Sequence, residues 1–240
     1  MPLSSLSPLS PSGGASVAAP LTVQPPTATP RFRHLVVEGP IGAGKTQLAQ
    51  RLADRWSMTA DLEQPGDNPF LERFYRDDAR YALPVQLDFL LRRAAQMQRI
   101  QQTLAQGTAV ASDFLPQRSE LFARLTLPPD EFELYRTLAT RVDTPPAAPD
   151  LVVFLQASAE TLFARIQRRA MAIELQIPDA YLRALSDAYD AFFYHYDGAP
   201  LLTVNTEHLD PIEHEADFAL LVERIEGMRG RKESFVKGTQ

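Results

Sequence analysis

Residues 39–46, Gly39-Pro40-Ile41-Gly42-Ala43-Gly44-Lys45-Thr46, follow directly on the apolar run 34–37 and Glu38, and no other stretch constrains the fold as strongly. The spacing G-x-x-x-x-G-K-[ST] lets backbone N–H groups converge on phosphate oxygens, and the N-terminus of a following helix adds donors of its own. Such a loop needs a strand to launch it and a helix to receive it. The run before it is apolar enough for a buried strand, and Leu48, Leu52 and Trp56 after it recur at helical spacing on one face. A chance match in a chain of ordinary length is roughly one in a hundred, so a nucleoside triphosphate site is expected. There Lys45 meets the β- and γ-phosphates, and Thr46 offers its hydroxyl to Mg²⁺.

The rest of the chain repeats the same alternation. Short apolar runs at 59–62, 109–111, 151–155 and 201–204 read as further buried strands, each separated from the next by enough residues for a helix. Helical periodicity marks 45–56, 83–104, 130–142, 159–169, 178–196 and 217–228. Proline-rich 144–149 reads as a turn into the strand at 151. The fold class expected is therefore α/β: a five-stranded parallel sheet with helices on both faces, a three-layer α/β/α arrangement.

Composition narrows the setting. At 240 residues the chain holds one substantial domain, with 45% hydrophobic and 22% charged residues. Residues 1–30 carry no charged side chain and are rich in Ser, Pro and Ala, which predicts a disordered tail rather than a signal peptide; 31–230 is expected to form the domain and 231–240 a flexible C-terminus. A net charge of −6 argues against a nucleic-acid polymer as partner, no run suits a membrane span, and the absence of cysteine fits a cytoplasmic protein.

Two further stretches say what the phosphate site serves. Glu63-Gln64-Pro65-Gly66-Asp67-Asn68-Pro69-Phe70-Leu71-Glu72-Arg73-Phe74-Tyr75, followed by Tyr81-Ala82-Leu83-Pro84-Val85-Gln86-Leu87, resembles the deoxynucleoside kinase family, in particular its bacterial deoxyadenosine and deoxyguanosine kinase branch. The resemblance spans about residues 33 to 225 and implies a P-loop kinase fold, ATP and Mg²⁺ as cofactors, a small deoxynucleoside as substrate and a homodimer. It implies that Glu63 accepts the proton of the nucleoside 5′-hydroxyl, that Tyr75 and Glu174 recognise the sugar 3′-hydroxyl, and that Gln86 and Arg93 contact the base. Asp113 then helps hold Mg²⁺ with Thr46, and Arg165 and Arg169 belong to a lid over the transferring phosphates. Read by residue type alone, a helix cap is the lesser alternative for Asp113, and a polar helix face the lesser alternative for Gln86 and Arg93.

Three positions depart from the family pattern. Asp113 is followed by Phe114 and Leu115 where many relatives carry an arginine; Ser119 stands where an aspartate usually contacts the base; and Arg169-Ala170-Met171 replaces Arg-Gly-Arg in the lid. Arg118 is a candidate for the missing positive charge. The leading expectation is phosphorylation of a purine deoxynucleoside at its 5′-hydroxyl. A nucleoside monophosphate kinase, or a nucleotide-binding regulator with weak catalysis, is the alternative.

Overall fold

The computed structural model describes residues 31–142 and 147–238; the expected tail 1–30, part of the proline-rich turn and the last two residues lie outside the described residues. Its centre is a six-stranded sheet in the order β2-β3-β1-β4-β5-β6. The strands are β1 (His34–Glu38), β2 (Thr59–Asp61), β3 (Val110–Ser112), β4 (Leu151–Gln156), β5 (Leu201–Asn205) and β6 (Lys232–Val236). Every neighbouring pair is parallel, with His34 opposite Val110 and Leu35 opposite Leu151.

Parallel strands need crossover helices, and these supply the outer layers. They are α1 (Lys45–Trp56), α2 (Leu71–Arg76), α3 (Asp78–Ala105), α4 (Arg118–Thr126), α5 (Pro129–Val142), α6 (Ala159–Arg169), α7 (Asp179–His195) and α8 (Glu215–Gly227). Alternation along the strands divides the core. Leu35, Val37, Val153 and Leu155 pack with Leu48 and Leu52 of α1, Leu162 and Ile166 of α6, and Leu221 and Ile225 of α8. Val36, Val152 and Phe154 face the other way, onto Phe122 of α4 and Leu185, Tyr189 and Phe193 of α7. Strands β1 and β4 thus bury both faces, which is why the runs at 34–37 and 151–155 are continuously apolar.

The five expected strands are present, and the sheet gains a sixth. Residues 231–240 were expected to be flexible; instead Lys232–Val236 forms β6, pairing with β5 from Leu201↔Lys232 to Asn205↔Val236. The strand is half-exposed at the sheet edge, with Phe235 packed on the core, so its apolar signal is weak. Helices α2 and α4 are also additions, and α3 starts at Asp78 rather than 83, running through Pro84. No helix among the described residues is long and apolar enough to cross a membrane.

Helix α6 opens with Ser158, whose hydroxyl accepts from the Thr161 N–H at 3.2 Å, and ends at Ala170 with φ 52°, a left-handed conformation in which a Cβ is strained. Ala170→Gly is therefore expected to stabilise the protein by up to about 1 kcal/mol, relief of left-handed strain exceeding the added chain entropy of glycine. A thermal midpoint that stays put or falls would contradict that account.

Candidate active site

The loop between β1 and α1 closes at the carboxyl end of the sheet, where open α/β sheets bind ligands. Two glycines are demanded by contact as well as by motif. A Cβ at Gly39 would lie 2.7 Å from the Leu155 carbonyl oxygen, and Gly44, at φ 88°, would set one 2.2 Å from Ile212 Cδ1. Lys45, the first residue of α1, turns back so that Nζ donates to the Pro40 carbonyl at 2.9 Å. Burial and nearby Arg118 push its pKa down to about 8, against the pull of Glu38, Asp113 and Glu63.

Around this lysine the fold assembles a buried charge cluster. Asp113, just beyond β3, accepts from Thr46 Oγ1 at 2.5 Å through one oxygen and from the Glu63 backbone N–H at 2.8 Å through the other. Glu63, just beyond β2, is gripped on both sides: Arg93 Nε donates to Oε1 at 2.6 Å, and Arg118 Nη1 lies 2.9 Å from Oε2. Burial raises the pKa of Glu63, but Arg118 and Arg93 outweigh it and hold the carboxyl at about 2. Glu38, at the end of β1, accepts from the Leu115 N–H at 2.7 Å, the Gly39 N–H at 3.0 Å and the Tyr189 hydroxyl at 3.2 Å. Burial pushes its pKa up, with Arg118 and Lys45 pulling against that.

Two cavities meet at the phosphate loop. One, of about 390 Å³, runs from Lys45, Thr46, Asp113 and Glu63 out to Tyr75, Gln86, Phe89, Arg93, Glu174 and Tyr181. The other, of about 410 Å³, lies beyond Gly42 and Gly44 between α6 and the loop after β5, with Arg165, Arg168 and residues 209–213 in its walls. Arg169 borders both. In the first cavity Gln86 Nε2 donates to Thr126 Oγ1 at 3.2 Å, and burial raises the Tyr75 hydroxyl pKa, helped by neighbouring Tyr181 and Glu174.

The sequence-predicted residues are brought together, with shifts of partner. Tyr75, Gln86, Arg93, Asp113, Glu63 and Glu174 share the first cavity, while Arg165 borders only the second, donating Nη1 to Thr206 Oγ1 at 2.9 Å. Arg93 is spent on Glu63 and on Ser119 Oγ, 2.9 Å away, because a buried guanidinium must find acceptors. Arg169 pairs with Glu174. Phe114 faces the core beside Met97, Ile100 and Val110.

Sequence reasoning underrated Arg118 and Glu38. No cation follows Asp113 directly, yet α4 carries Arg118 into the same pocket, only 8% exposed, with its Nε unpartnered among the described residues. Glu38 had one visible signal, a charged residue ending an apolar strand.

The donor set suits a hard cation only in part. The Thr46 hydroxyl and Asp113 carboxylate lie together at the phosphate loop, and no cluster of three or more metal-ligating side chains occurs among the described residues. Two oxygen donors are what Mg²⁺ takes from such a site, since it keeps most of its ligands as water and phosphate oxygens.

Comparison with known proteins follows the same line. Residues 35–228 match the family described as deoxynucleoside kinase. The chain is 28% identical over 196 residues to the deoxyguanosine kinase of Bacillus subtilis (strain 168), covering 80% of this chain and 95% of that one. It is 30% identical over 191 residues to the deoxyadenosine kinase of Lactobacillus acidophilus, covering 73% and 86%. Among solved structures, deoxyadenosine kinase from M. mycoides with the products dCMP and dCDP superimposes with a TM-score of 0.71 at 21% identity, over 81% of this chain and all of that one.

The lowered pKa of Lys45 has a measurable consequence. As pH rises through about 8 the unliganded lysine loses its proton, so affinity for a triphosphate should fall several-fold between pH 7 and 9, with net proton uptake on binding near pH 8. Calorimetry in two buffers of different ionisation enthalpy measures that uptake. Equal apparent enthalpies would refute it.

Proposed function

The chain belongs to the deoxynucleoside kinase family, and we propose that it transfers the γ-phosphoryl group of ATP to the 5′-hydroxyl of a purine deoxynucleoside. The observation that carries this reading is Glu63, held in the first cavity with Lys45, Thr46 and Asp113 of the phosphate end. The donor triphosphate lies on residues 39–46 with its base toward the second cavity, and the acceptor occupies the first. Tyr75 and Glu174 take the sugar, and Gln86 and Arg93 border the base. Relatives named for deoxyguanosine and deoxyadenosine support the purine preference.

A carboxyl with a pKa of about 2 is a weak base, so Glu63 acts first as an oriented acceptor for the 5′-hydroxyl. It takes the proton late, as the oxygen gains bonding to phosphorus and its acidity rises. Phosphoryl transfer through a loose transition state asks mainly for positioning and charge stabilisation. Arg93 and Arg118 fix the direction of the carboxylate, and Lys45 and Arg118 bring positive charge to the phosphate end of the cavity. Asp113 keeps Thr46 and Glu63 in register. Thr46 and Asp113 would hold Mg²⁺, which supplies further neutralisation of phosphate charge. Arg165 and Arg169 close over the donor from α6.

The protein acts in the cytoplasm as a homodimer, for which exposed Leu91 on α3, at 58%, and Leu134 on α5, at 50%, offer apolar surface.

Glu63→Gln is expected to lower kcat by about 10²–10⁴-fold with a smaller change in the KM for nucleoside, measured by ADP release. Unaltered turnover would remove Glu63 from the chemistry. With the natural protein, the same assay run on the four deoxynucleosides should give the highest kcat/KM for deoxyadenosine or deoxyguanosine. A preference for deoxycytidine or thymidine would overturn the purine assignment, and faster turnover of deoxynucleoside monophosphates would favour the monophosphate kinase instead.

A further inference from the structure

Arg51 lies on α1, six residues after Lys45, and borders neither cavity, yet both terminal nitrogens and one face of its guanidinium are engaged. Nη1 donates to the Pro211 carbonyl at 3.0 Å and to the Ile212 carbonyl at 2.7 Å. Nη2 pairs with the Glu215 carboxylate at the start of α8, and Cζ sits 4.1 Å from the centroid of the Phe218 ring. Both carbonyls belong to the loop after β5 that walls the second cavity.

That loop rests on the phosphate cradle itself. Ile212 Cδ1 fills the space beside Gly44 that a Cβ would need, 2.2 Å away. From the other side, Asp210 Oδ1 accepts from the Ile212 N–H at 3.2 Å and the Glu213 N–H at 3.1 Å. The loop is therefore pinned at its amides by its own aspartate and at its carbonyls by a cation from the helix that carries Lys45. A charged donor to two carbonyls is stronger than a neutral one.

We propose that Arg51 is a positioning residue for the donor nucleobase: by tying Pro211 and Ile212 to α1, it makes the base pocket and the phosphate cradle one rigid unit. This rests on the reading of residues 39–46 as the donor triphosphate site. A triphosphate placed by the cradle presents its base to the second cavity at a fixed distance, and loosening the loop costs base recognition while leaving phosphate recognition intact.

The test compares ATP with inorganic tripolyphosphate, which has the phosphates but no base. In Arg51→Met, whose apolar stem still covers Phe218, the KM for ATP should rise about tenfold, with kcat and the KM for deoxynucleoside within about twofold of the natural protein. The inhibition constant of tripolyphosphate against ATP should not move. Arg51→Lys, which keeps the charge and donors but not the planar fork, should show a smaller rise, about threefold, again without change for tripolyphosphate; it carries the test if Arg51→Met does not fold. Tripolyphosphate and ATP weakening in parallel would mean that Arg51 only supports α1, and an unchanged KM for ATP in both variants would likewise overturn the proposal. If tripolyphosphate fails to compete with ATP in the natural protein, the donor-site reading itself falls and this inference with it.

Discussion

A carboxylate removed from water must be matched by cations and hydrogen-bond donors, and the match made around Glu63 is the constraint on which the active site depends. Arg93 comes from α3, Arg118 from α4, and the backbone amide of Glu63 is held by Asp113 at the end of β3. Two helices thus converge on one carboxylate, while Asp113 beyond β3 holds its backbone. Removing both arginines would leave the buried carboxylate uncompensated, and breaking a buried pair in that way costs about 3–5 kcal/mol. The same matching that holds the group in place lowers its basicity, so the fold favours orientation over proton affinity. That suits a reaction in which the phosphoryl group is already loosely held.

The cluster also links the phosphate loop to the segment beyond β2. Asp113 reaches Thr46 with one oxygen and the Glu63 backbone with the other, so the phosphate end and the acceptor end of the cavity share a support. Arg169, at the end of α6, borders both cavities and pairs with Glu174. Glu38 ties the phosphate loop at Gly39 to Leu115 beyond β3 and to Tyr189 of α7, so three elements meet on one buried carboxyl.

Much of this was legible from residue order. The loop 39–46 announced a strand, a turn and a helix, because only that sequence of elements presents converging amides to a phosphate. The runs at 151–155 and 201–204 announced buried parallel strands, because both faces are covered. What escaped were features with no local pattern. Strand β6 is half-exposed and carries Lys232 and Glu233, so hydropathy alone reads it as a tail. Helix α4 is short and polar at its start, and its importance lies in where Arg118 points.

Lys45 and Thr46 at the cradle were determined by sequence alone, since motif spacing sets which groups can face one phosphate, and the Glu63 to Gln86 pattern beyond it was legible through its resemblance to a family. Which cation answers which carboxylate was decided only by tertiary structure. Arg93 matched a base-contacting position yet turns to Glu63 and Ser119, and Arg118 proved to be the second grip on Glu63. The physical reason is that burial makes every charge seek the nearest available partner, and nearness across β1, β3, α3 and α4 exists only once the sheet has brought their ends together.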